Sequence, residues 1–150
     1  MRTDVKRRGW TISAEGNDLA DRFLESVFFT GNGRMGARGY PAYRPIRRPL
    51  DAGLFLAGFY DRISDSTELT DFVNLPTPIW YQIRLNGRIP AIPSHLSRAL
   101  DLRTGLLTFR YRLSIADDWV DVQEQRFFSL AKPSFLFQRL EFQGRGQVEL

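Results

Sequence analysis

Residues 107–130 read LTFRYRLSIADDWVDVQEQRFFSL. In the first half, Leu107, Phe109, Tyr111 and Leu113 alternate with Thr108, Arg110 and Arg112. Successive side chains of a strand point to opposite faces, so this spacing describes a half-buried β-strand with its polar face in solvent. Ala116, Asp117 and Asp118 form a turn, and residues 119–130 read as the returning strand. The pattern spreads outward from there. Residues 134–142 form another strand, with Leu136, Leu140 and Phe142 on one face and Phe135 and Phe137 on the other. Gly144 and Gly146 mark a turn before a further strand at residues 147–150. Upstream, Ile79, Tyr81, Ile83 and Leu85 face one way, and Trp80, Gln82, Arg84 and Asn86 the other. Asn86-Gly87 is the dipeptide of a type I′ hairpin, whose two central residues both need positive φ. Ile89 and Ile92 resume beyond it, with Pro90 and Pro93 ending or edging that strand. Turn signals recur at roughly the 8–12-residue spacing of a β-sandwich. No stretch carries a clean helical period, and the best helix candidate is residues 17–25. The expected fold class is all-β, with antiparallel strands.

The chain has 150 residues and a mass of 17.3 kDa, which suits one domain or part of a larger one. Hydrophobic residues make up 43%, including 12 Phe, enough to build a core. Cysteine is absent, which excludes disulfides, thiolate metal sites and cysteine nucleophiles. His95 is the single histidine, so a histidine-rich metal site is excluded as well. The net charge is +4, and only Lys6 and Lys132 are lysines among 21 basic residues. The arginines are spread along the chain rather than gathered in a stripe, which speaks against a nucleic-acid binder. The one local cluster, residues 44–49, holds two prolines and reads as a rigid loop. Arg7-Arg8 lacks the apolar stretch of an export signal, and the longest nearly apolar run, residues 54–60, is far short of the roughly 20 residues a membrane helix needs. We expect a soluble, cytoplasmic protein. The chain stops at Val148, Glu149 and Leu150, inside a strand-like stretch rather than a polar tail, and we expect it to be the front of something longer.

Gly31-Asn32-Gly33-Arg34-Met35-Gly36 matches G-x-G-x-x-G after the strand-like run Val27-Phe28-Phe29, with Asp51 at the ribose-acid distance. A dinucleotide site needs a helix to open inside the motif, and Gly39, Pro41, Pro45 and Pro49 forbid one. A kinase loop fails too, since no lysine-bearing strand or catalytic loop follows. The carboxylates Glu25, Asp61, Glu68, Asp101 and Glu124 are scattered, with no pair set by sequence spacing. His95 reads as a surface histidine in a loop. Trp10, Trp80 and Trp119 are sugar-stacking candidates, with core or rim packing as the plainer reading.

Leu24-Glu25-Ser26-Val27-Phe28, running into Gly31-Asn32-Gly33-Arg34-Met35-Gly36-Ala37-Arg38-Gly39, resembles the E-S-L-F-x-x-G-N-G-x-x-G-x-R-G signature of the N-terminal domain of glycoside hydrolase family 65. Further segments follow in the family's order. GLFLAGFYD at residues 53–61 resembles G-x-Y-x-A-G-x-Y-D. Thr67-Glu68-Leu69 and Val73-Asn74-Leu75-Pro76 resemble T-E-L-V-N-L-P with an insertion. Leu85-Asn86-Gly87, LDLRTGLLT at residues 100–108 and Arg126-Phe127-Phe128-Ser129-Leu130 complete the set. The departures lie between Gly39 and Gly53, which is arginine- and proline-rich, and at residues 64–72.

The resemblance implies that residues 1–150 are the N-terminal portion of a super-β-sandwich of the galactose-mutarotase-like type. In the family an (α/α)6 catalytic barrel follows, and the general-acid glutamate and phosphate site belong to it. No catalytic residue is therefore assigned here, and no metal or organic cofactor is implied. The resemblance thus implies the non-catalytic N-terminal domain of an α-glucoside (disaccharide) phosphorylase or hydrolase, supporting the catalytic barrel in carbohydrate metabolism. Inorganic phosphate would be a co-substrate if the parent is a phosphorylase, the disaccharide its substrate, and the barrel of the same chain its partner. Homodimers are common in the family. Neither nucleic acid nor membrane is expected as a partner. Gly31, Gly33, Gly36 and Gly39 permit positive φ and close backbone approach, Asn32 bonds its own backbone in a turn, and the Arg38 fork suits a neighbouring loop or carboxylate. Two roles stand open for this turn: a brace against the barrel, or a hairpin serving the sandwich alone. The alternative to the family reading is a stand-alone carbohydrate-binding or interaction β-sandwich.

Overall fold

The computed structural model describes residues 4–16, 22–43, 53–62, 70–91, 93 and 95–150. Its centre is a six-stranded antiparallel sheet built from β1 (Val5–Arg8), β2 (Thr11–Gly16), β9 (Leu96–Asp101), β10 (Leu106–Ile115), β11 (Asp118–Phe128) and β12 (Leu136–Arg145), in that spatial order. The quoted alternation sets the register. Leu107, Phe109, Tyr111 and Leu113 on β10 and Val120, Val122 and Phe128 on β11 are all buried on one face, with Leu96 and Leu100 of β9 beside them. Arg110 and Arg112 are on the opposite, exposed face. The turn between β10 and β11 holds two residues, since Ile115 pairs with Asp118, and Ala116 takes a positive φ of 51° there.

Three smaller units cover the inner face. The first is α1 (Arg22–Val27), which buries Leu24 and Glu25. The second is a sheet of β3 (Thr30–Gly31), β4 (Met35–Ala37) and β5 (Leu54–Leu56). The third pairs β8 (Arg84–Leu85) with β13 (Val148–Glu149). A separate two-stranded ribbon joins β6 (Tyr60–Arg62) to β7 (Thr70–Phe72). Two apolar clusters result. One gathers Leu24, Phe28, Tyr43, Ile83 and Leu85 against β9, β10 and β11. The other gathers Ala37, Tyr40, Leu54 and Ile79 against Phe128.

Several local expectations are corrected. The stretch Val27-Phe28-Phe29 is not strand-like: Val27 closes α1, and the Phe28 and Phe29 amides donate back to the Leu24 and Ser26 carbonyls at 3.0 and 3.2 Å. Residues 22–25 of the helix candidate are helical and α1 runs on to Val27, while residues 17–21 lie outside the described residues. Residues 79–83 form no strand although their alternation is real in part: Ile79, Ile83 and Leu85 are buried while Tyr81 is exposed. Their backbone bonds go elsewhere, the Tyr81 amide to the Ala42 carbonyl and the Ile79 carbonyl to Gln138 Nε2. The hairpin turn itself is as expected, with φ of 51° at Asn86 and 72° at Gly87. Gly144 is a strand residue rather than a turn residue. It pairs with Val120, and a Cβ there would be 2.2 Å from the Trp119 carbonyl oxygen. Gly146, with φ of 118°, makes the turn into β13. The arginine–proline cluster at residues 44–49, with Asp51, residues 64–69 and Ile92, falls outside the described residues.

Candidate functional site

The motif residues come together as a hairpin and a loop. β3 and β4 pair through Thr30–Ala37 and Gly31–Gly36, and the Asn32 amide closes the turn on the Met35 carbonyl at 3.0 Å. Gly33 supplies the positive φ, 84°, that the turn requires. Gly36 and Gly39 are needed for close approach instead. A Cβ on Gly36 would be 2.5 Å from the Phe29 ring, and one on Gly39 would be 2.3 Å from the Phe28 Cβ.

Asn32 does more than bond its own turn. Its Oδ1 accepts from the Arg34 and Met35 amides, each at 3.0 Å. Its Nδ2 donates to the Ser129 carbonyl at 2.7 Å and the Pro133 carbonyl at 3.0 Å. One side chain thus shapes the hairpin and fastens it to the β11–β12 connection about 100 residues away in sequence.

Residues 38–43 continue from β4 across the inner face of the six-stranded sheet, and a buried ion pair holds them there. Arg126 on β11 donates through one terminal nitrogen to the Arg38 and Tyr40 carbonyls, at 2.9 and 2.7 Å. Its guanidinium lies 5.1 Å from the Tyr40 ring centre and 5.2 Å from that of Phe109. Glu124, two residues earlier on the same face, accepts from the Ala42 amide at 2.6 Å and from Gln138 Nε2 at 3.0 Å. Its Oε1 is 3.6 Å from Arg126, and both side chains are fully buried. Burial pushes the Glu124 carboxyl up from its ordinary value, against the downward pull of Arg126, the Ala42 amide and Gln138. Burial also lowers Arg126, while Glu124 opposes that shift. Arginine keeps its proton in proteins, so the pair is a guanidinium beside a carboxyl group of raised pKa. The Tyr43 hydroxyl donates to the Pro90 carbonyl and secures the loop's far end.

Arg38 packs against the neighbouring segment at Gly53. Its amide donates to the Gly53 carbonyl at 3.0 Å, and its aliphatic stem fills the space a Gly53 Cβ would need. The guanidinium that bonds the carbonyls of residues 38 and 40 is that of Arg126. Sequence reasoning gave Arg126 and Glu124 no role, although a signal existed. Both fall on the inner face of β11 in phase with Val120, Val122 and Phe128, where a charged side chain must be partnered.

The other candidates are dispersed. His95 is exposed just before β9. Trp10 is exposed with Arg103 over its ring, Trp80 packs edge-on to Tyr40 at 5.9 Å, and Trp119 carries Arg112 at 4.1 Å. Glu25 is buried in α1, Asp61 is exposed on β6, Asp101 ends β9, and Glu68 lies outside the described residues. No group of three or more acidic or histidine side chains among the described residues is placed to hold a metal ion. No helix among them is long and apolar enough to cross a membrane. A concavity of about 840 Å³ on the outer face is lined by Arg110, Arg112, Asp121, Gln123 and Glu141. Those groups satisfy one another: Arg110 bonds Gln123, Gln123 bonds Glu141, and Arg112 bonds both oxygens of Asp121. It is the solvent-facing ladder of the sheet and is separate from the motif.

Residues 14–150 match the family described as "Glycosyl hydrolase family 65, N-terminal domain". Over 123 residues the chain is 26% identical to trehalose 6-phosphate phosphorylase of Lactococcus lactis subsp. lactis (strain IL1403), covering 75% of this chain and 16% of that protein. A solved structure described as a kojibiose phosphorylase from human microbiome has the same fold, with a TM-score of 0.77 at 17% identity. That likeness covers 93% of this chain and 20% of the other. The chain therefore spans a fifth or less of the length of these relatives.

Proposed function

The chain belongs to the N-terminal domains of glycosyl hydrolase family 65, and on that premise we propose that it is the non-catalytic front domain of an α-glucosidic disaccharide phosphorylase. The match over residues 14–150, set against relatives about five times as long, carries this reading. The described residues supply a rigid framework: a hairpin fixed by Asn32 and a loop fixed by Arg126 and Glu124. Residues 1–150 are then the N-terminal sandwich portion, and the reacting groups belong to an (α/α)6 barrel elsewhere in the parent chain. There, a general acid protonates the glycosidic oxygen while inorganic phosphate attacks the anomeric carbon, so the glucosyl bond passes from oxygen of the sugar to oxygen of phosphate. Phosphate enters as co-substrate, and neither metal nor organic cofactor is part of the proposal. The hairpin's role is to brace the barrel.

The test is a phosphorolysis assay on the full-length protein with maltose, trehalose, kojibiose and trehalose 6-phosphate, each with and without inorganic phosphate. We expect release of glucose 1-phosphate from at least one substrate, dependent on added phosphate. Sugar cleavage that ignores phosphate, or no cleavage of any of the four, contradicts the proposal.

A further inference from the structure

The outer side of the glycine hairpin carries an uncovered row of aromatic rings. Phe29 lies 6.4 Å from Phe55, Phe55 lies 6.0 Å from Phe72, and Phe72 lies 5.0 Å from Tyr60, centre to centre. With Met35 and Leu56 they line a shallow groove of about 500 Å³. Phe29, Tyr60 and Phe72 are 44%, 54% and 53% exposed. A single exposed apolar side chain is ordinary, but a contiguous set of rings marks a contact surface.

The platform is built rather than incidental. The Phe29 ring rests on the backbone only because Gly36 has no Cβ, which would otherwise stand 2.5 Å from it. The hairpin beneath is fastened to the β11–β12 connection by Asn32. Rigid, pre-positioned aromatic groups are the usual anchors of an interface, because little entropy is lost when they are covered. These six apolar residues are few beside the roughly 20–30 residues a side of a stable complex between separate molecules. A tethered segment needs less area, since the linkage holds it at an effective concentration on the order of millimolar. The relatives, about five times as long as this chain, have several hundred residues outside the matched region from which such a segment could come.

Resting on the reading of this chain as a front domain, we propose that the row of Phe29, Phe55, Tyr60 and Phe72 is the surface on which the remaining part of the same polypeptide packs. The partner it fits is an apolar ridge of aliphatic and aromatic side chains, with a carboxylate facing Arg34 at the groove's rim. A second copy of the chain is the competing occupant.

The test uses the full-length protein carrying Phe29→Ser with Phe72→Ser, a Phe29→Leu with Phe72→Leu control, and Tyr60→Ser, which touches the row at its exposed end. Calorimetric melting and native mass are measured for each, and phosphorolysis for the wild type. The expected result is one cooperative transition in the wild type and the leucine control. Both serine variants should split it or lower its midpoint by several degrees, with native mass unchanged. An unshifted single transition in the serine variants overturns the proposal, as does a wild type that already melts in two independent steps. Serine variants that halve the native mass and keep one transition assign the row to a second copy instead. A wild type without phosphorolysis whose serine variants still melt in two steps strikes the phosphorylase reading and leaves the docking surface standing.

Discussion

Glu124 and Arg126 sit fully buried on the inner face of β11 and between them hold three backbone groups of residues 38–42. Removing one member of a buried pair leaves the other uncompensated, which costs about 3–5 kcal/mol. Glu124→Ala should therefore destabilise the fold by about that amount in urea unfolding, with the loop at residues 38–43 losing amide protection first. The pair also predicts a pH dependence. The folded Glu124 carboxyl titrates above its ordinary value of 4.5 because of burial. In the window between that value and the raised one, the folded state binds more protons than the unfolded chain. Its stabilising contribution is thus full below the ordinary value and is lost as pH rises through the folded one. Glu124→Gln should flatten that fall in a plot of unfolding free energy against pH, and a variant as steep as the wild type contradicts the assignment. Asn32 was legible in the sequence as a turn former, but its bonds to Ser129 and Pro133 were not, because they join segments that only the sheet brings together.

At the level of elements, the strands around residues 96–145 were legible because each has neighbours on both sides or a buried face, so period two in the sequence is period two in burial. Residues 79–83 show the limit of that reasoning. Alternation reports which side chains are buried, whereas a strand also needs a neighbouring backbone, and here the partners are the Ala42 carbonyl and a glutamine side chain. Gly144 illustrates a second limit, since a glycine in a strand signals close approach as readily as a turn. The β10–β11 turn offers a direct check. Ala116 holds a φ of 51°, a conformation that is strained for any residue with a Cβ. Ala116→Gly should relieve it and stabilise the chain by about 0.5–1 kcal/mol, after the extra freedom glycine gives the unfolded chain. A lowered melting temperature in that variant means the turn is not strained as described.

For the whole molecule, the family match and the antiparallel sheet agree on one description, an N-terminal domain of glycosyl hydrolase family 65, and the relatives it matches are several times longer. The ordered motifs announced the family, and the structure explains what they do. The glycine signature lets a hairpin lie against Phe28 and Phe29, and the Arg126 segment supplies the guanidinium that secures the loop behind it. The catalytic group could not be read from these residues, because on this account it belongs to another part of the parent. That makes size the most direct test of the central claim. The intact mass of the protein, isolated from the cell that makes it, is predicted to be several-fold above 17.3 kDa. A mass of 17.3 kDa would contradict the account, since the chain would then stand alone without a barrel to brace.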